Sequence, residues 1–549
     1  MREQLVEQIR NALKQVGGSE DSESLAAVPV LFSIPKNDQY GDYATNVAMG
    51  LAKVLKRSPL QIAEELVRQI PSGLSWLERV EVAKPGFINF YLKDQAFQGT
   101  LPLIIRAGAS FGQATWGAGQ KIQVEFVSAN PTGPLHIGHG RGAALGGALA
   151  NLLRATGHTV ETEYYLNDVG TQMETLGRSI RTRARGLTGE PVEFPENGYQ
   201  GEYIKEIARD IIREKKDWPQ ADLAFFSQQG REKILTGIKE DLDTFGIPFD
   251  CWFSEESLYT QGLVDELIRE MQDRGLFYQE EGALWFKSSA FGDEKDRVVV
   301  RSNGAKTYFA SDITYHLQKF NRGFDRVIDI WGADHHGYVP RIKAALKSRQ
   351  IDPERLTVVL VQLVNLLREG KPVAMSTRAG EFVTLREVID EVGKNAARYL
   401  FLTRRSDSPL DFDLEVAKKQ GLENPVYYVQ YAHARVQSVL RVAESQGLDG
   451  NPLGFNCLHR LELPEERDLC RQLTEYPEII HQAALNLEPH RLTAYLGELA
   501  GMFHPYYNHQ RFISDDQELT LARLLLAKAT GLVIKNALHI LGVEAPDKM

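Results

Sequence analysis

At 549 residues, with 43% hydrophobic and 25% charged side chains, the chain exceeds what one hydrophobic core organises, so two to four globular domains are expected. Cys251, Cys457 and Cys470 lack zinc-ligand spacing, no charged n-region with an apolar core opens the chain, and no run approaches ~20 apolar residues; these features predict a cytoplasmic protein with no structural zinc and no membrane span. A net charge of −10 excludes a uniformly basic nucleic-acid binder but leaves room for local patches, such as Arg178, Arg181, Arg183 and Arg185, or Lys53, Lys56 and Arg57.

Residues 1–115 open with an amphipathic helix carrying Leu5, Val6, Ile9, Leu13 and Val16, followed by helical patterns at about 42–57 and 59–70. Val80-Glu-Val82 and Phe87-Ile-Asn-Phe-Tyr91, around Pro85-Gly86, read as strands. The expectation is a small α+β unit, with Gly108 to Gly119 as its linker.

Lys121-Ile-Gln-Val-Glu-Phe-Val127 reads as a buried strand and Gly140 to Thr156 as a helix, with Ser128-Ala-Asn-Pro-Thr-Gly-Pro-Leu135 and His136-Ile-Gly-His139 between them. Pro131 and Pro134 keep the helix from starting earlier. A helix N-terminus offers partial positive charge and free N–H groups, Gly138 permits close backbone approach, and two imidazoles add donors: a place for phosphate. A metal half-site or a plain polar helix start is the alternative for the tetrapeptide taken alone.

From about 116 to 418, strand-like runs at Val124–Val127, Thr159–Leu166, Arg326–Trp331 and Leu356–Leu366 alternate with helical patterns. That alternation predicts a Rossmann-like parallel sheet with ligands at the carboxyl ends of its strands. A polar, irregular stretch at about 170–300, with Pro191, Pro195 and Pro219, predicts an insertion. From about 419 to 549 the patterning is all-helical, with Leu524, Leu525, Leu532, Val533, Ala537 and Ile540 at helical spacing, and a helical bundle follows. The overall expectation is a multidomain α/β protein with an N-terminal α+β domain, a Rossmann-like parallel-sheet catalytic domain and a C-terminal all-α bundle.

The His-Ile-Gly-His turn resembles the first signature of class I aminoacyl-tRNA synthetases. Ala374-Met375-Ser376-Thr377-Arg378-Ala379-Gly380 occupies the place of the second, Lys-Met-Ser-Lys-Ser, with Ala374 and Thr377 where that pattern has lysines. Phe32 to Ala44, Phe87 to Phe90, Val124 to Gly142, Tyr165-Leu-Asn-Asp168, Trp331-Gly-Ala-Asp-His-His-Gly-Tyr338, Tyr431-Ala-His-Ala-Arg435 and Leu492 to Ala500 together resemble the arginyl-tRNA synthetase family from end to end.

That resemblance implies ATP-dependent activation of L-arginine to an adenylate and its transfer to the 2′-hydroxyl of the terminal adenosine of tRNA(Arg), with Mg²⁺ accompanying the ATP and adenylate formation requiring bound tRNA. It implies catalytic roles for His136, His139, Met375, Ser376 and Arg378, and ATP contacts from His136, Gly138, His139, Gly332, Asp334 and Met375. With the second-signature lysines absent, positive charge is expected from neighbours such as Lys371, Arg378 or Arg368. It further implies an arginine pocket of Glu125, Asn130, Tyr308, Asp312 and His335, since a planar five-donor cation needs carboxylates placed to accept in a fork. Read without the family, Asp312 is as well a helix cap. The first domain is expected to touch the tRNA elbow. The bundle is expected to read the anticodon with Tyr427, Tyr428, His433, Arg435, Tyr506, Tyr507 and Asn508, whose rings and edges suit single-stranded bases. A monomer is expected.

Two other classes stay open to the sequence. Ala374 and Thr377 suit a catalytically silent tRNA-binding protein, which arginine- and tRNA-dependent ATP consumption would exclude. A small-substrate nucleotidyl transferase would tolerate deletion of 420–549.

Overall fold

The computed structural model describes residues 1–16, 25, 27–373, 382–448 and 452–549. In the first unit, helices Arg2–Val16, Val47–Leu55 and Pro59–Gln69 cover a small antiparallel sheet of β1 (Tyr43–Thr45), β2 (Leu77–Ala83) and β3 (Phe87–Leu92) in the order β1-β3-β2. The helical pattern expected from about 42 begins later, because Tyr43, Ala44 and Thr45 pair with Phe90, Asn89 and Ile88 instead. Ser58 caps the third helix through Gln61 N–H, and Pro59 follows at its first position, where no N–H is missed.

The central sheet is parallel throughout. β4 (Lys121–Glu125), β5 (Thr159–Leu166) and β6 (Cys251–Ser254) extend it to one side. After a separate antiparallel sheet of β7 (Phe277–Glu280), β8 (Ala283–Phe286) and β9 (Arg297–Val300), β10 (Arg326–Gly332) and β11 (Leu356–Val361) extend it to the other. The order β11-β10-β4-β5-β6 reverses direction between β4 and β10, and in open α/β sheets such a switch point is where a ligand crevice opens. Helix Ile137–Ala155 closes one face so tightly that a side chain at Gly146 would stand 2.1 Å from the Phe126 ring, a space only glycine leaves.

Two sequence expectations change here. The run Leu356–Leu366 is not one strand: it breaks at Gln362-Leu363, and β12 (Val364–Arg368) joins a second sheet with β13 (Lys371–Pro372) and β14 (Leu410–Asp413). At the break Arg141, buried in the covering helix, donates to the Gln362 and Arg405 carbonyls at 2.8 Å each, and Gln362 N–H turns to Ser406 O; burial lowers the Arg141 pKa to about 10. The stretch expected to be irregular is regular: helices Thr171–Leu187, Glu202–Glu214 and Leu223–Thr244 pack together and return the chain to the central sheet as β6.

The C-terminal bundle comprises helices Pro425–Ser445, Pro464–Asn486, His490–His509 and Gln517–Leu541. The last is long and apolar enough to cross a membrane, although Arg523, Lys528 and Lys535 interrupt its apolar residues, and it is mostly buried as the central helix of this bundle. Arg398 ties three regions together by donating to the Phe245, Gly246 and Leu541 carbonyls. The first unit docks on the bundle through Arg2 and Tyr43 to Glu475, and through Arg467 to Asp42 and Asp94.

Candidate active site

A cavity of about 810 Å³ opens at the switch point, over the carboxyl ends of β4 and β10. Glu125, Asn130, His136, Gly138, His139, Tyr308, Asp312, Gly332, Asp334 and His335 all line it. Ten of the residues singled out in the sequence thus share one space. Met375, Ser376 and Arg378 lie outside the described residues.

β4 delivers the first acid. Glu125 ends the strand almost fully buried, and the chain then turns through Val127 and Ser128 with φ of 67° and 41°, the left-handed region that a β-branched residue enters at a cost of about 1–3 kcal/mol. Hydrogen bonds over-determine the turn: Ser128 Oγ donates to Glu125 Oε1 at 2.9 Å and accepts from Tyr165 N–H at 3.1 Å. Strain is held where the chain passes the cavity.

The next turn starts the helix. His136 is its N-cap: His136 Nδ1 accepts from Gly138 N–H at 3.1 Å, and His139 Nδ1 accepts from His136 N–H at 3.2 Å. The rings stack with centroids 3.7 Å apart. An Nδ1 that accepts leaves the proton on Nε2, so each ring is a neutral donor. Burial lowers both pKa values, that of His139 to about 3 with help from the neighbouring ring. The turn is clamped to the far side of the second-signature loop, with Ile137 N–H on Val383 O and Leu385 N–H on Leu135 O at 2.7 Å.

The second acid comes from helix Tyr308–Asn321. Thr307 is its N-cap, so Asp312 sits in the second turn and is not a cap. It accepts from the Tyr338 hydroxyl. Burial raises its pKa and the nearby Glu125 charge adds to the rise, while the Tyr338 bond opposes it. Tyr308 is half-exposed at the mouth, and Asp334 and His335 project from the turn after β10 with largely exposed side chains.

A third acid escaped the sequence reading. Glu255, 1% exposed, lines the same cavity with Oε2 lacking a hydrogen bond among the described residues, and burial, reinforced by Asp312, pushes its pKa up to about 7. Nothing in Ser254-Glu255-Glu256 distinguishes it from a helix start; only the β5–β6 pairing brings it there. Three carboxyls around one cavity form a trap for a single cationic side chain, and neutral imidazole donors beside them suit anionic oxygens.

In the bundle, Tyr427, Tyr428, Arg435 and Asn508 reach the surface between helices Pro425–Ser445 and His490–His509. Arg435 lies 4.6 Å from the centroids of both Tyr431 and Tyr507, and Tyr427 stacks on Tyr431. Two expected members of this surface are corrected. His433 is fully buried against Pro546 O, and Tyr506 is buried with its hydroxyl on Glu466, so neither ring can stack on a base.

Three family models match the chain: an arginyl tRNA synthetase N-terminal domain over residues 3–92, a class I tRNA synthetase (R) catalytic domain over 101–408, and a DALR anticodon binding domain over 429–549. The chain is 55% identical over 523 residues to an arginine–tRNA ligase of Geobacter sp. (strain M21), covering 94% of each, and 52% identical over 557 residues to that of Syntrophotalea carbinolica, covering all of both. Among solved structures, a putative arginyl-tRNA synthetase from Campylobacter jejuni is 35% identical with a TM-score of 0.76, over 83% of this chain and 100% of that one. The Thermus thermophilus arginyl-tRNA synthetase shares the fold over the full length of both chains, with a TM-score of 0.78 at 23% identity. The chain belongs to the arginyl-tRNA synthetase family.

Proposed function

We propose that this protein is a monomeric, cytoplasmic arginine–tRNA ligase: it condenses L-arginine with ATP to arginyl-adenylate and passes the arginyl group to the terminal adenosine of tRNA(Arg). The observation that carries this reading is the convergence of Glu125, Asp312 and Glu255 with the His136–His139 turn in one cavity.

The chemistry follows from placement. The carboxylate oxygen of arginine attacks the α-phosphorus in line, an O–P bond forms, the bond to the bridging oxygen breaks, and pyrophosphate leaves. Nε2–H of His136 and of His139 donate to phosphate oxygens as charge builds on them. Gly138 lets the nucleotide approach the backbone. Glu125 and Asp312 accept from the guanidinium, with Tyr308 at the mouth, and Asn130 and His335 attend the amino acid's backbone end. Gly332 and Asp334 border the nucleotide. A 2′-hydroxyl of the RNA then attacks the activated carbonyl, and AMP departs. No side chain forms a covalent bond.

Mg²⁺, when bound with ATP, would supply charge neutralisation on the triphosphate. One exposed carboxylate, Asp334, stands at the cavity's rim, which fits an ion carried chiefly by phosphate oxygens and water. Lys371 and Arg368 flank the second-signature loop; Arg368 is already paired with Glu391. Residues 1–115 would meet the tRNA elbow, and the face carrying Tyr427, Tyr428, Tyr431, Arg435, Tyr507 and Asn508 the anticodon.

The test is amino-acid-dependent exchange of pyrophosphate into ATP across all twenty amino acids, with tRNA(Arg) present. Arginine alone should support exchange. Exchange supported equally by lysine, or by none, would overturn the reading.

A further inference from the structure

Beneath the two guanidinium-facing carboxylates lies a buried polar layer with no part in the chemistry above. Lys319, on helix Tyr308–Asn321, has no exposed surface. Its Nζ donates to Glu125 Oε2 and to Asp329 Oδ1, the latter at 2.7 Å, and lies 4.4 Å from the Tyr315 ring centroid. Asp329, fully buried on β10, meets His316 Nε2 through its other oxygen at 3.0 Å, and His316 Nδ1 meets the Asp312 carbonyl at 2.7 Å. From β5, Glu163 also faces this layer, paired with Arg322 and bonded to the Tyr315 hydroxyl at 2.5 Å. Glu125 is thereby held by Lys319 directly, and the main chain at Asp312 is tied to the same anchor through His316 and Asp329.

The acceptor accounting shows what this does to the pocket. A carboxylate oxygen accepts about two hydrogen bonds. Glu125 Oε2 takes Lys319 and lies 2.9 Å from the Tyr315 hydroxyl, whose one proton is shared with the nearer Glu163 Oε1, and Glu125 Oε1 takes Ser128, so few acceptor positions on Glu125 stay open among the described residues. Asp312 Oδ2 takes Tyr338, and Oδ1 has no partner among the described residues. The open acceptors are therefore few and sit on separate carboxylates. A guanidinium spreads five N–H donors over a rigid plane and can reach acceptors set apart; an ammonium gathers three donors on one atom and wants acceptors clustered around it. Where they cluster, around Glu125 Oε2 and Asp329 Oδ1, an ammonium already stands.

We propose that Lys319 is a positioning and specificity-determining residue: its buried ammonium occupies the clustered acceptors behind the pocket, fixes the remaining oxygen of Glu125 toward the cavity, and so disfavours free lysine as a substrate. This rests on the reading of Glu125 and Asp312 as arginine acceptors. Exclusion comes from clustered acceptors that are already occupied, rather than from size alone.

The experiment measures kcat and KM for arginine and for lysine in tRNA-supported pyrophosphate exchange, using the full-length chain as Lys319→Met, Glu125→Gln and the double variant. Lys319→Met should raise the arginine KM about tenfold or more with kcat changed less than about threefold, and should raise kcat/KM for lysine in absolute terms by about threefold or more. In the Glu125→Gln background the same change should add less than about threefold to the arginine KM, because both act through one carboxylate. Additive effects, an unchanged arginine KM in Lys319→Met, or lysine activity falling in parallel with arginine activity would each overturn the proposal, the last marking a merely structural role. Glu125→Gln alone reads the underlying assignment, so an unchanged arginine KM there sinks that reading separately. If Lys319→Met fails to fold, the charge-balanced pair Lys319→Met with Asp329→Asn is measured in its place, with the same outcomes.

Discussion

His136 and His139 stack with ring centroids 3.7 Å apart, each Nδ1 accepting a backbone N–H, so that both rings keep their proton on the outer nitrogen. The helix start thus fixes tautomer and direction in one arrangement, and two donors are aimed before any nucleotide arrives. His139→Asn should lower kcat for pyrophosphate exchange by roughly 10²–10³ while the arginine KM changes less than about threefold, as for a preorganised donor acting on developing charge. Steady-state kinetics under saturating tRNA decide it; a large KM effect with kcat intact would assign His139 to ground-state binding.

The same burial gives His139 a signature in stability. Its folded pKa, about 3, lies below the ordinary 6.5, so between those values the unfolded chain binds a proton that the fold refuses. Stability from this residue is full above about pH 6.5 and is lost as pH falls, at up to ~1.4 kcal/mol per pH unit. Urea melts at pH 7 and pH 5.5 should show a smaller loss in His139→Asn than in the natural chain. An identical loss would contradict the burial argument.

Asp312→Asn keeps the side-chain size and removes its charge. Arginine binding should weaken by roughly 2–4 kcal/mol, seen as a KM raised about 30- to 1,000-fold with the ATP KM unaffected. An unchanged arginine KM would remove Asp312 from the pocket.

Glu255 predicts a pH dependence of substrate capture. Its carboxyl, raised to about 7 by burial and by Asp312, is half protonated in the empty pocket at neutral pH, and an arriving cation favours the ionised form. Arginine binding should therefore release a proton, and the apparent affinity should improve as pH rises from 6 to 8, at up to about tenfold per unit on the acid side. Calorimetry in buffers of different ionisation enthalpy reads the released proton. In Glu255→Gln the release near pH 7 should vanish; its persistence would place the titrating group elsewhere.

On the bundle, Arg435 bridges Tyr431 and Tyr507. Arg435→Ala should raise the KM for tRNA(Arg) at least about tenfold, leaving the arginine KM within about twofold, if that surface stacks on unpaired bases. Filter binding measures the tRNA arm directly. Arg435→Ala with unaltered tRNA affinity would move the anticodon contact to another face.

Much of the site was legible because local patterns and long-range convergence agree. The apolar run before Glu125, the two prolines and the glycine-bearing turn each dictate a strand, a break and a helix, and these elements place Glu125 beside His136. Asp312 was reachable through the resemblance, since only tertiary packing carries its helix over the end of β4. Other parts left no local trace. Leu356–Leu366 reads as one apolar strand, yet at its break the Gln362 carbonyl meets Arg141, more than two hundred residues earlier in the chain. Lys319 carries no local mark of its place; it is buried against Glu125 and Asp329, which pair opposite each other on neighbouring parallel strands. His433 and Tyr506 show the converse, aromatic-rich segments of two helices whose inward faces belong to the core.

The account turns on Glu125 and Asp312 accepting one guanidinium beside the histidine turn. A crystal structure of the protein with L-arginine bound tests this most directly. Guanidinium nitrogens at about 2.7–3.2 Å from oxygens of both Glu125 and Asp312, with the amino acid's carboxylate directed toward His136 and His139, is the predicted result. Arginine bound in another cavity, or its guanidinium contacting neither acid, would contradict it.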